Sequence, residues 1–309
     1  YMMDDGRNRT DVHMNCLNVP TVIPDAACDG LIANRPGLSV GDVIAKCHAA
    51  YRKTRTEGGN PSSLFMVNHP HWSAIDVSPE DFLSNPDVRF FEICNCGSDI
   101  PLPANMSEKD FSCDRFWDIV LANRCRADGN LLYGIGTDDT HAYHGEGWNM
   151  CIPGNAWCRV RADSPRAEDV LPAMQRGDFL ACEGLEAEDV SFDRKSGTLR
   201  VSVAGAPAMT RKITFIVSKK DFDEKPAKSV SIVHEKDAKG FRRTVNSYTG
   251  VGVTVRTVVG KPGEAVSAAY TLGADDLYVR ARIESPEPPL CRVALHPKSV
   301  CCWTQPYSA

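Results

Sequence analysis

No apolar run in this 309-residue chain approaches the ~20 residues that a helix needs to cross a bilayer. The opening stretch, Tyr1-Met-Met-Asp-Asp-Gly-Arg-Asn8, lacks the basic and apolar segments of a secretion signal. Internal repeats and low-complexity tracts are missing too, which excludes solenoid and linker-like architectures. Nor does either charge dominate: 35 basic and 40 acidic residues leave a net charge of -5, dispersed along the chain. That balance gives no argument for a nucleic-acid or membrane-surface partner. Cysteine is plentiful, at 13 residues, yet the Cys-x-x-Cys spacing of a structural zinc site is absent. Cys94 and Cys96 are separated by one residue, and Cys301 and Cys302 are adjacent. An odd number of cysteines in a chain too large to need disulfide staples reads as small buried apolar residues in a reducing compartment, which favours the cytoplasm.

What is present is an ordinary globular composition, 42% apolar and 24% charged. The length exceeds what one core usually supports, so two domains are expected, and a change of pattern places their boundary between 1–163 and 164–309. In the first, Val12–Val19, Leu64–Val67, Arg89–Cys94 and Leu131–Gly136 read as strands. Between them Ser39 caps a helix to Tyr51, Ser78-Pro79 opens another, and Phe116–Ala122 is helical. Strands alternating with helices predict parallel βα units, with functional groups at the strands' C-terminal ends. In the second, a helix over Ala167–Gln175 closes at Arg176-Gly177. Short strands follow at Thr198–Val203, Lys212–Val217, Val251–Val258, Leu277–Ile283 and Val300–Trp303. Several alternate polar and apolar residues, the pattern of half-buried antiparallel strands in a β-sandwich-like domain.

Chemistry concentrates in Tyr133-Gly-Ile-Gly-Thr-Asp-Asp-Thr-His141. Asp139 and His141, two apart, share one face of an extended segment. A carboxylate with an imidazole suits zinc, manganese or iron; a solvated Asp-rich turn is the bland alternative. His13, inside the first predicted strand, and His69, at the end of the second and followed by Pro70, His71 and Trp72, add two imidazoles. Either one alone is more often a satisfied core residue. With parallel strands in a barrel, however, His13, His69, Asp139 and His141 converge on one mouth.

Taken in order, Asp11-Val-His-Met-Asn15, Val67-Asn-His-Pro-His71, Phe91-Glu-Ile-Cys-Asn95, Trp117-Asp118 and Gly136-Thr-Asp-Asp-Thr-His-Ala-Tyr143 resemble the PHP (polymerase and histidinol phosphatase) family of metal-dependent phosphoesterases. Cys302-Trp-Thr-Gln-Pro306 is similar to the ending of a subgroup with a C-terminal β domain. The resemblance implies an α/β fold, a partial distorted (β/α)7 barrel followed by an antiparallel β-sandwich-like domain. It implies two or three divalent metal ions (zinc, manganese or iron), held here by His13, His69, Asp139 and His141, and hydrolysis of a small phosphorylated substrate. No ligand role follows for Asp138, His71, Glu92 or His144. Glu92 reads as a structural carboxylate at a strand end, and Asp138 as a turn residue or an acceptor that orients a ligand imidazole. His71 and His144 read as residues that orient a ligand or bind phosphate.

The family's opening His-x-His motif, an Asp-His segment and a Gly-Glu-Glu ligand belong upstream of His13, where this chain has twelve residues and no histidine. The expectation is therefore an N-terminally truncated or degenerate member that binds metal weakly and turns over little. Arg115, Arg124 and Arg126 read as an exposed helix face. A non-catalytic binding or scaffold protein working through its β domain is the alternative of another class, weakened because the five tryptophans lie mostly in the first half. Metal-dependent hydrolysis of a C–N or C–O bond is a third reading.

Overall fold

The computed structural model describes residues 2–4, 9–21, 23, 39–59, 62–70, 77–96, 112–127, 129, 131–140, 143, 153–233, 242–286 and 300–308. The first half contains β1 (Met2–Asp4), β2 (Arg9–Asp11), β3 (Met14–Leu17), α1 (Val40–Glu57), β4 (Leu64–Val67), α2 (Pro79–Leu83), β5 (Phe90–Asn95), α3 (Cys113–Ala127), β6 (Tyr133–Thr137) and β7 (Ala156–Val160). The second contains α4 (Ala167–Arg176), β8 (Phe179–Glu183), β9 (Asp189–Asp193), β10 (Thr198–Val203), β11 (Lys212–Lys219), β12 (Lys228–Val233), β13 (Arg242–Ser247), β14 (Val253–Val259), β15 (Val266–Thr271), β16 (Asp276–Ser285) and β17 (Val300–Thr304).

Local chemistry sets the helix ends. At the start of α1 the Ser39 hydroxyl accepts from the Asp42 N–H, and the Asp42 carboxylate accepts from the Ser39 N–H at 2.9 Å. This capping box satisfies two donors that a helix otherwise leaves unpaired. Ser78 and Asp81 repeat it at α2, with Pro79 in the first turn where its missing N–H costs nothing. Along α1, Val43, Ile44, Cys47, Ala50 and Tyr51 recur at helical spacing and are buried. The end of α4 is Gly177, whose φ of 83° is the left-handed cap that glycine adopts without strain.

The expected barrel is not there. Strand outweighs helix, with four helices among the described residues, and in the first half these residues form an open four-stranded sheet in the order β3-β4-β5-β6. A barrel requires every strand to have two strand neighbours, whereas β3 and β6 are edges. The β4–β5 and β5–β6 pairs are parallel, as βα units require, but β3 runs antiparallel to β4. On β4, Phe65 and Val67 pack into the cluster built on α1, α2 and α3, while Leu64 and Met66 pack with Leu171 and Met174 of α4. Both faces of the sheet are thus covered.

From β7 to β17 every pair of neighbouring strands among the described residues is antiparallel. A six-stranded sheet, β14-β11-β16-β17-β8-β7, faces a three-stranded one, β15-β10-β9. Leu180, Cys182, Val201, Phe215, Ala281 and Cys302 fill the core between them. The other face of the larger sheet is covered over β16, β17 and β8. Ala181, Tyr278, Cys301 and Trp303 join the same cluster as Phe91 and Trp117, so one core runs across both halves.

Ion pairing reinforces that junction. Arg280 and Arg282, two apart on β16, face Asp114 and Asp118, four apart on α3. Arg124, expected on an exposed face, is buried, and it donates to the carbonyls of Phe82, Asn85 and Val88 at 2.7–2.9 Å. Its guanidinium closes the turn between α2 and β5, where three carbonyls, two of them also accepting from backbone N–H groups, supply the acceptors that burial of a charge demands. Arg115 is half-buried on the Tyr248 and Val251 carbonyls, and only Arg126 is exposed, paired with Glu224.

His48 of α1 is half-buried against the Tyr51 and Phe65 rings, with centroids 5.7 and 5.1 Å away. Burial, helped by Arg52, lowers its pKa from 6.5 to about 4. As pH falls through 6.5 the unfolded chain takes up this proton first. Stability is therefore full above pH 6.5 and declines toward pH 4. The full shift is worth about 3 kcal/mol, and partial exposure discounts it to about 1–2 kcal/mol. Urea midpoints at pH 7.5 and 5 are expected to differ less in His48→Phe than in wild type, and an equal drop in both sinks the assignment.

Candidate functional site

The parallel strands β4, β5 and β6 end along one edge of their sheet, and the chain leaving them carries Asn68-His69, Asn95-Cys96 and Thr137-Asp138-Asp139. In open α/β sheets this carboxyl edge is where ligands bind. His13 reaches it by a different route from the one the sequence predicts. It lies just before β3, and because β3 is antiparallel to β4, with Met14 opposite Val67, the start of one strand meets the end of the other. The Asn68 N–H donates to the His13 carbonyl at 2.9 Å. His13 Nδ1 then stands 3.1 Å from His69 Nε2, the rings edge to face with centroids 4.9 Å apart.

Glu92 sits beside this pair and is 3% exposed. Its Oε2 accepts from the His69 N–H and from Asn95 Nδ2, both at 2.7 Å, and its Oε1 accepts from the Thr137 hydroxyl at 2.9 Å. Residues three apart on a regular strand point to opposite faces. A register shift between Glu92 and Cys94 absorbs the odd residue and brings Asn95 round to the carboxyl, the re-aiming that a bulge provides. Burial pushes the Glu92 carboxyl up to about 7, with the Asp139 charge adding to the rise and the three donors opposing it. Near neutral pH it can hold or release a proton, as a general acid or base must.

Backbone strain marks the same edge. His69 has φ 21° and Asp139 φ 50°, conformations that side chains other than glycine rarely adopt. Each costs on the order of 1–3 kcal/mol, and residues so held gather at ligand-binding positions. By contrast, the Cys158 thiol donates to the Gly136 carbonyl at 3.7 Å, and burial pushes it up to about 12, so it stays neutral.

Of the residues expected as ligands, His13 and His69 meet, and Asp139 lies near enough for its charge to act on Glu92. His141, His71 and His144 lie outside the described residues. Asp138 belongs to the turn, accepting from the Thr140 hydroxyl and the Gly154 N–H at 2.8 Å each. Among the described residues no three His, Cys, Asp or Glu side chains stand together as a metal-holding group. The metal-binding expectation is corrected to that extent, and the reason is local. Glu92 Oε2 already accepts two hydrogen bonds and both Asp138 oxygens are engaged, so neither carboxylate adds a free donor to the imidazole pair. The imidazole nitrogens, 3.1 Å apart, share a hydrogen bond; on one tetrahedral zinc, at about 2.0–2.1 Å each, they would stand about 3.3–3.4 Å apart, so holding an ion would require the pair to give up that bond and open slightly.

Asn95 and Thr137 were not singled out by sequence, although both lie in the motifs at the ends of β5 and β6. Their role depends on the bulge, which spacing alone does not reveal. Set against known proteins, the chain matches no family model, no curated protein and no solved structure. The family resemblance therefore rests on the motif residues alone.

Proposed function

We propose that this edge hydrolyses phosphate esters of small molecules, the activity that the ordered motifs imply. The observation that carries the reading is the His13–His69 pair, two buried or half-buried imidazoles brought edge to face at the carboxyl ends of the parallel strands from positions 56 residues apart. A divalent cation is the cofactor that this reading calls for, with His13 and His69 to hold it and Asp139 and His141 as the further donors. Such an ion supplies Lewis-acid charge at the phosphoryl oxygens and acidifies water. The protein's own part lies in Glu92, which can hold or give up a proton at Oε1, the oxygen bonded to the Thr137 hydroxyl, because Oε2 is taken by two N–H donors. Asn95, Thr137 and the His69 N–H fix that carboxyl in one rotamer, so a proton is exchanged from one place.

Protein supplied with manganese or zinc in excess is expected to hydrolyse p-nitrophenyl phosphate slowly, with weakly held metal. His13→Ala and His69→Ala should each lose at least ten- to a hundredfold in metal affinity and turnover, the loss that follows even from removing a ligand's hydrogen-bonded neighbour. Wild type without turnover in any divalent metal, or both variants at full turnover, overturns the reading.

A further inference from the structure

We infer that Gln305 is a positioning residue for this site, holding β6 from its outer edge by acting as a one-residue substitute for a neighbouring strand. The activity arm of its test rests on the phosphate-ester reading, and the exchange arm does not. Gln305 follows β17 and is 0% exposed. Its Oε1 accepts from the Gly134 N–H at 3.0 Å, and its Nε2 donates to the Gly134 carbonyl at 2.8 Å. Bonding to both the N–H and the C=O of one residue is what an adjacent strand does in a ladder. A carboxamide, with its donor and acceptor side by side, is a side chain that can copy it.

The geometry of β6 requires such a partner. Its inner side is occupied by β5: the Tyr133 N–H donates to the Arg89 carbonyl at 2.7 Å, and the Thr137 carbonyl accepts from the Cys96 N–H at 3.1 Å. Successive residues of a strand turn to opposite sides, so Gly134 and Gly136 present their peptide groups outward. Gly136 lies against the backbone of β7 and β8, within 3.2 Å of Trp157 and Cys182 atoms for any added Cβ. Gly134 has Gln305. Three residues beyond it, Thr137 donates to Glu92, and two further on stands the strained Asp139. Any slip or fraying of β6 moves both groups relative to His69. A buried peptide edge stripped of its partner is under pressure to move, because its polar groups must be satisfied.

The test compares Gln305→Leu with Thr304→Val. Thr304 is the preceding residue, equally buried; its hydroxyl accepts from the Ala281 N–H at 2.9 Å and donates to the Gln305 main-chain carbonyl at 3.1 Å, while the Gln305 carboxamide alone bonds to Gly134. Both variants lose bonds from one buried polar side chain, so a merely structural role for Gln305 predicts the same outcome for both. If Gln305 positions β6, amide exchange of Cys96 and Gly136 rises ~100-fold in Gln305→Leu and stays near wild type in Thr304→Val. In the same pair, kcat on p-nitrophenyl phosphate falls ~10-fold or more in Gln305→Leu with KM little changed, because the reacting groups are displaced rather than the substrate released. Equal exchange at Cys96 in the two variants, or unchanged exchange in Gln305→Leu, overturns the inference. Wild type that hydrolyses nothing overturns the phosphoesterase reading alone, since exchange at Cys96 is read without substrate and decides Gln305 by itself.

Discussion

Asp118→Ala is expected to lower stability by about 3–5 kcal/mol, because it leaves the Arg280 guanidinium buried with half of its counter-charge gone. Asp118 accepts from Arg280 Nε at 2.8 Å, from a terminal nitrogen of the same guanidinium at 2.7 Å, and from the Tyr278 hydroxyl at 2.7 Å. Arg280 is 0% exposed and lies 4.8 Å from the Trp117 ring centroid. Water cannot replace the lost carboxylate there. What would remain is Asp114, 2.6 Å from Arg280 and shared with Arg282 and the Trp303 indole N–H. Burial alone would raise the Asp114 pKa, but Arg280 and Arg282 outweigh it and hold the carboxyl below its usual range. Its contribution is therefore present above the unfolded value of 3.8 and is lost as pH falls through the lower folded value. Urea denaturation at pH 7 reads the Asp118→Ala effect, and a loss below about 1 kcal/mol would place the pair among surface bridges instead. The double variant Asp118→Leu with Arg280→Met should recover much of the loss, since replacing a whole buried pair by apolar groups is often nearly neutral.

This cluster also explains what the sequence could and could not reveal. Helix ends were legible because their causes are local: Ser39 with Asp42, Ser78 with Asp81, and Gly177 each act within a few residues. Strand cores were legible for the same reason, since runs such as Leu64–Val67 are buried on both faces. The alternation Tyr278-Val-Arg-Ala-Arg-Ile283 was read as one wet face and one dry one. In fact α3 covers the face that carries Arg280 and Arg282, and only the three-dimensional partner reveals it. The barrel failed on a similar point. Hydrophobic periodicity gives strands and helices but neither the direction of pairing nor how many strands join, and the four described strands form an open sheet in which β3 runs antiparallel to β4. At the site, the expected convergence of the ligands rested on parallel strands in a barrel, whereas His13 and His69, 56 residues apart, meet through an antiparallel approach that the spacing does not encode. The bulge that turns Asn95 toward Glu92 and the reach of Gln305 to Gly134 were equally invisible, because both depend on contacts between distant segments.

Gly136→Val should be the most damaging single change to the site that touches none of its polar groups. The run Gly134-Ile-Gly136 reads in sequence as the end of a strand that leads to the Asp-rich turn. Its glycines are required by close packing. A Cβ at Gly136 would stand 2.9 Å from the Trp157 carbonyl oxygen, 3.1 Å from the Cys182 amide nitrogen and 3.2 Å from the Cys182 carbonyl oxygen. All three are backbone atoms of paired strands, β7 and β8, so no side chain can swing aside. Relief has to come from moving β6 away from the second half of the molecule, at a cost of about 3 kcal/mol, the upper end for overpacking. The same movement carries Thr137 and Asp139, and a displacement near 1 Å is worth on the order of 100-fold in turnover. Gly129 provides the control. Its φ of 78° is strained for other residues, but nothing lies within 4 Å of an added Cβ, so Gly129→Ala should cost only about 1 kcal/mol of backbone strain and leave turnover intact. Thermal denaturation and p-nitrophenyl phosphate hydrolysis of the two variants separate the cases. Equal stability loss in both would mean that the approach of β6 to β7 and β8 is not what Gly136 serves, whereas a folded Gly136→Val with full turnover would free the site from dependence on β6.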